Sequence, residues 1–124
     1  MVLFSATTAF AASDYSVVPY ADDVIDTAKT LVDVASGGKI TATATIGTKV
    51  TASSIGFPTF VIQENRDGKW VTVASGSGMV RNTSSRDKTI TYTKRSGYSY
   101  RVKTTYKAVV DGVAYTAPGY TKPV

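Results

Sequence analysis

The chain contains no cysteine and no histidine. Without cysteine there is no disulfide framework, no thiolate metal site and no thiol nucleophile. Without histidine the commonest general base and the commonest transition-metal ligand are missing. Leucine occurs only at Leu3 and Leu31, and glutamate only at Glu64, so strong helix formers are scarce. Thr, Val and Tyr are plentiful instead, residues suited to a pleated, half-buried surface. The expectation is an all-β chain. Its 124 residues, 43% of them hydrophobic, suffice for one domain with one two-layer core.

Negative charge is scarce in the C-terminal half. Residues 1–65 hold three cations and six acids (−3), and residues 66–124 hold eleven cations and three acids (+8), giving +5 in all. Such asymmetry attracts polyanions such as nucleic acid, teichoic acid or anionic lipid, or simply aids solubility.

The N-terminal stretch MVLFSATTAFAASD is uncharged until Asp14 and ends its apolar part in Ala9-Phe10-Ala11. That is the small-x-small pattern of signal-peptide cleavage, with the cut expected after Ala11 or Ala12. The run is too short to span a bilayer and lacks a basic segment before it. Residues 1–12 are therefore expected to be the remnant of a signal peptide, with Met1 inside a longer leader. Residues 13–27 follow as an N-terminal extension and residues 28–124 as the folded domain. The expected product is secreted or held non-covalently at the cell surface, with no membrane span.

Periodicity supports strands along most of the chain. Residues 20–35 carry both helical spacing and β-branched composition; Gly37-Gly38 then offers a two-residue turn into KITATATI, which alternates cleanly. A strand over 28–35 pairing back on that segment is expected, with a helical turn near Asp22–Asp26 as an option. Gly47 and Thr48 are expected to break the strand, and Pro58 to mark a strand start or edge. Thr59–Asn65, a turn at Asp67-Gly68, and Trp70–Ser75 form a hairpin. Gly76–Arg86, rich in Gly, Ser and Asn, reads as a loop. Lys88–Lys94, Tyr98–Val110 and Val113–Tyr120 complete about seven strands, a sandwich or small-barrel pattern.

The stretch YSYRVKTTYK decides how its cations are used. Its period of two puts Tyr98, Tyr100, Val102, Thr104, Tyr106 and Ala108 on one face, and Arg101, Lys103, Thr105 and Lys107 on the other. Proteins that stack bases place aromatics and cations on the same surface. On this strand they are separated, so nucleic acid is a poor fit and a stripe of cations remains.

GKITATATI, ASSIGFPTFVIQE, Trp70, GMVRNTSS and YSYRVKTTYKAVVDG together resemble an uncharacterised family of small secreted proteins of Gram-positive anaerobes. The resemblance covers roughly residues 28–122. It implies an immunoglobulin- or fibronectin III-like antiparallel β-sandwich of about seven strands. It also marks Tyr100, in Gly97-x-x-Tyr100-x-Val102, as the tyrosine that hydrogen-bonds across a corner of such sandwiches. The chain lacks the inter-sheet cysteine pair, and the resemblance implies no catalytic or ligand residue.

Other chemistry is thinly supported. Asp22, Asp23 and Asp26 lack the spacing of a dedicated Ca²⁺ loop. Glu64 has no Asp near it in sequence for glycoside hydrolysis and reads as a charge at a strand end. Ser with Lys as base has no strand–turn–helix context, and Gly76–Met79 lacks the Lys-Ser/Thr of a phosphate cradle. Tyr15, Tyr20, Tyr115 and Tyr120 either cap the sandwich ends or stack on sugars. The expected function is that of a non-enzymatic interaction or structural module without cofactor or metal. Its basic face is formed by Lys94, Arg95, Arg101, Lys103 and Lys107, and its expected partner is an anionic cell-wall polymer or polysaccharide. The alternatives are a carbohydrate-binding module and a small extracellular hydrolase.

Overall fold

A computed structural model describes the backbone of residues 14–17 and the whole of residues 24–121, 123 and 124. The expected signal-peptide remnant, Tyr20, Asp22 and Asp23 lie outside the described residues. Seven strands follow in order: β1 (Asp14–Val17), β2 (Ile25–Val34), β3 (Lys39–Arg66), β4 (Lys69–Ser75), β5 (Gly78–Thr93), β6 (Tyr100–Val110) and β7 (Val113–Tyr120). Every pairing is antiparallel. The molecule is all-β, a curled antiparallel sheet. Among the described residues no helix is long and apolar enough to cross a membrane.

β3 organises the sheet. Its first part, from Lys39 to Gly47, lies between β2 and β5. Its middle, Ser54 to Gly56, lies between β5 and β6, and its last part, Val61 to Glu64, lies between β4 and β6. β7 extends the sheet beyond β6, and β1 extends it beyond β2. Residues 14–17 and 25–27, set apart in the sequence as an extension, thus belong to the sheet.

The turns follow their chemistry. β2 and β3 form the expected hairpin, with Val34 opposite Ile40, but its loop is longer than the two residues expected: Ala35 N–H donates to the Lys39 carbonyl, with Ser36, Gly37 and Gly38 between them. Asp67 and Gly68 (φ 53° and 86°) and Asp111 and Gly112 (52° and 77°) take the paired positive φ that tight hairpins need.

Two sequence expectations fail here. The chain does not leave the sheet between Gly47 and Pro58: β3 runs on through 28 residues. Gly47 and Pro58 instead coincide with register shifts, one between Gly47 and Ala52 against β5 and one between Gly56 and Thr59 against β6. A bulge absorbs the missing N–H of proline without ending the strand. Residues 78–86 are not a loop but the first half of β5, with Val80 opposite Ile55 and Thr83 opposite Ala52. Their alternation slips where Arg81 and Asn82 are both exposed and Asn82 turns to φ 55°, so no clean period of two is readable there.

The curl brings β2 over β6. The buried Thr30 hydroxyl on β2 shares a 2.8 Å hydrogen bond with Thr104 on β6 and another with the hydroxyl of Tyr106. Around it pack Val32, Ile40, Ala42, Ala44, Ile46, Ile55, Phe57, Phe60, Ile62 and Val102, all essentially inaccessible to solvent. Phe57 meets Phe60 and Tyr106 at centroid distances of 5.7 and 6.1 Å. These alternate apolar residues on β3 and β6 supply the main driving force of folding.

Candidate functional site

β6 alternates as its sequence dictates: Tyr100, Val102, Thr104, Tyr106, Ala108 and Val110 are buried, and the residues between them are half-exposed. Arg101, Lys103 and Lys107 therefore stand in single file on the outer face. Their cross-strand neighbours are neutral. Arg101 lies opposite Gln63; Lys103 lies between Val61 and Tyr120; Lys107 lies between Gly56 and Thr116.

The aromatic platform that β6 lacks is supplied by its neighbours. The Arg101 guanidinium sits 4.4 Å from the ring centroid of Trp70 on β4 and 4.9 Å from that of Tyr120 on β7. Both separations are well inside cation–π range. Its Nε donates a 2.8 Å hydrogen bond to Oε1 of Gln63. Aromatics and a cation do share this surface, in an arrangement spanning four strands. Reading one strand at a time missed it, because the rings reach Arg101 from strands that precede and follow β6.

The remaining two predicted cations lie elsewhere. Lys94 and Arg95 occupy the connection between β5 and β6. Nζ of Lys94 lies 6.0 Å from the Tyr100 ring centroid, and the Arg95 guanidinium lies 4.5 Å from that of Tyr98. Arg95 is engaged in an ion pair: its Nη2 and Nε donate to the Glu64 carboxylate at 2.6 and 3.1 Å. Arg66 Nε adds a third donor at 2.7 Å, and the Tyr100 hydroxyl donates to the other carboxylate oxygen, Oε2.

Glu64 is thus no strand-end charge. It is completely shielded from solvent, directly opposite Tyr100 in the ladder. The charge-assisted bonds from Arg95, opposed by desolvation and reinforced by Tyr100 and Arg66, bring its carboxyl from 4.5 down to about 2. Glu64 in return holds Arg95 more firmly protonated than usual. Burial first, and then the hydrogen bond to Glu64, push the Tyr100 hydroxyl above its ordinary range. Through Arg95 and Tyr100 these bonds tie the β5–β6 connection and the start of β6 to β3.

Tyr100 also accepts a 2.8 Å hydrogen bond from the backbone N–H of Arg95, five residues upstream.

Of the acidic run only Asp26 is among the described residues, as an exposed residue of β2, and among the described residues no three potential metal ligands gather. Gly76 and Gly78 bracket the step from β4 to β5, and Asn82 to Ser84 lie within β5. Tyr115 packs partly buried against the core, whereas Tyr120 is 48% exposed.

No protein-family model, curated protein or solved structure matches the chain.

Proposed function

We propose that this chain is an exported, non-enzymatic module with an immunoglobulin- or fibronectin III-like sandwich fold that binds anionic polymers of the cell envelope. The supporting observation is the row of Arg101, Lys103 and Lys107, flanked only by neutral residues on β3 and β7. Cations whose partners are acids contribute little outward field; among the described residues these three have no acid as a cross-strand neighbour, so their field reaches solvent. The Tyr100 corner bond favours the sandwich assignment, and the Ala9-Phe10-Ala11 pattern favours export.

A carbohydrate-binding module is the second reading, favoured by Trp70 and the exposed Tyr120 on the same face. Arg101 already covers one face of each ring, which leaves less surface for a pyranose. A small hydrolase is the weakest reading, since Glu64, the sole glutamate, is locked in ion pairs.

Co-sedimentation with purified anionic cell wall, with peptidoglycan stripped of anionic polymer and with a neutral polysaccharide, across a range of salt, separates these readings. The expected outcome is binding to the anionic wall alone, lost with rising salt, and abolished in the Arg101→Glu, Lys103→Glu, Lys107→Glu variant. Wall binding that survives the triple reversal overturns the assignment to this face. Salt-resistant binding to neutral polysaccharide establishes the second reading instead.

A further inference from the structure

We infer that Arg101 is a preorganised anchor for a phosphodiester group, and that the polymer bound is of the poly(glycerol phosphate) kind, lying along β6. The inference rests on the anionic-polymer reading of this face and names its ligand and its lead residue.

The first element is rigidity. A surface arginine ordinarily samples many rotamers and loses that freedom when it binds. Arg101 is held at three points: its guanidinium carbon lies 4.4 Å from the Trp70 ring centroid and 4.9 Å from that of Tyr120, and its Nε bonds Gln63. The second element is vacancy. Among the described residues the ion pairs are those of Glu64 with Arg66 and Arg95, so no carboxylate answers Arg101. The hydrogen bond to Gln63 uses only the Nε edge, and the terminal N–H groups form no hydrogen bond among the described residues. A planar fork, fixed and unanswered, matches two oxygens of one tetrahedral oxyanion.

The third element is layout. Side chains two residues apart on a strand stand about 6.7 Å apart, so Lys103 lies one such step from Arg101 and Lys107 two steps further. Flanking positions on both neighbouring strands are neutral, which makes the charge a narrow line. A slender chain with its charge in the backbone fits such a line. A uronate polymer, with carboxylates on bulky rings, fits it less well. A single-stranded nucleic acid needs ring faces for its bases, and one face of both Trp70 and Tyr120 already holds Arg101.

The test compares three oligomers of equal charge number by fluorescence anisotropy: glycerol phosphate, galacturonate and deoxythymidylate. The proteins are the wild type, Arg101→Lys, Lys103→Gln and, as a remote control on β2, Lys29→Glu, each first checked for an unchanged melting temperature. Wild type is expected to prefer the glycerol phosphate oligomer. Arg101→Lys keeps the charge yet should weaken that binding by about tenfold, the order expected when a charge-assisted hydrogen bond is lost, and should erase the preference over galacturonate. Lys103→Gln should lower the slope of log affinity against log salt by about one, and Lys29→Glu should change neither quantity. Equal binding of the three oligomers, or an Arg101→Lys variant equal to wild type, overturns the inference and leaves the anionic-polymer reading standing. Tighter binding of deoxythymidylate replaces the ligand with nucleic acid. No binding to any of the three removes the reading of the face itself, and the inference with it.

Discussion

Tyr100 and Glu64 face each other across the β3–β6 ladder, and the tyrosine hydroxyl donates a hydrogen bond to the carboxylate inside the protein. Two arginines complete the carboxylate's shell, so the core contains an ionised group that is fully compensated. Its folded-state value of about 2 lies below the ordinary 4.5. A depressed carboxyl contributes stability that is complete above the unfolded value and lost as pH falls through the folded one. Wild type should therefore lose stability progressively from about pH 4.5 down to about pH 2. Glu64→Gln should lower the melting temperature at pH 7 and shrink the difference from wild type across that window. Thermal melts of both proteins at stepped pH check it; a difference independent of pH contradicts the assignment.

Tyr100→Phe removes a donor to Glu64 and an acceptor for the Arg95 N–H while leaving the ring packed near Tyr92. The expected cost is about 1–3 kcal/mol, measured by denaturant unfolding, because buried polar groups lose their partners. The raised hydroxyl also predicts an alkaline signature. Its stability contribution is complete below the ordinary tyrosine value and fades as pH rises through the folded one. In an ultraviolet titration of the folded protein, Tyr100 should ionise later than the ordinary 10.0, and Tyr100→Phe should lose one tyrosine's share of the late-ionising amplitude.

Thr30 joins the two sides of the curled sheet through Thr104 and Tyr106. Thr30→Val keeps the volume and loses both bonds, with an expected destabilisation of about 1–2 kcal/mol. Thr30→Ser keeps the hydroxyl, so it should retain both bonds at the smaller cost of one methyl group. Equal losses in the two variants would mean that packing alone accounts for the position.

Two glycines should respond differently to alanine. At Gly56 (φ 156°) a Cβ would come 2.3 Å from the carbonyl oxygen of Gly78 and 2.9 Å from Cα of Met79, both backbone atoms of the paired strand. Gly56→Ala should cost roughly 3 kcal/mol or more, since the β3–β5 ladder must move apart. At Gly68 (φ 86°) nothing lies within 4 Å of the added atom. Gly68→Ala should cost only the left-handed penalty of about 1 kcal/mol. Chemical denaturation of the two variants side by side tests the ranking.

The register of β6, the hairpin of β2 with β3 and the Asp-Gly turns were legible because each is set by neighbours in sequence: alternation within a strand, or two residues fixing a turn. The continuity of β3 was not legible, because local signals at Gly47 and Pro58 announce a break and only the paired strands show that each is a bulge. The first half of β5 was hidden for the same reason; backbone pairing to Ala52–Phe57 outweighs a Gly-, Ser- and Asn-rich composition. Of the five predicted cations, Arg101, Lys103 and Lys107 share a face, as alternation requires. The ion pair of Arg95 was not legible because its acid lies 31 residues away on β3. Trp70 and Tyr120 were missed as neighbours of Arg101 because only the strand order β4, β3, β6, β7 brings them together.

β3 also governs how the molecule comes apart. A single strand of 28 residues is the shared beam of the whole sheet, hydrogen-bonded along its length to β2, β5, β6 and β4 in turn. Among the described strands only β1 and β7 do not pair with it directly, so both sides of the sheet depend on it. Amide protons at both ends of this beam should therefore exchange with solvent through one common opening event, and breakdown begins at the outer strands and reaches the centre last.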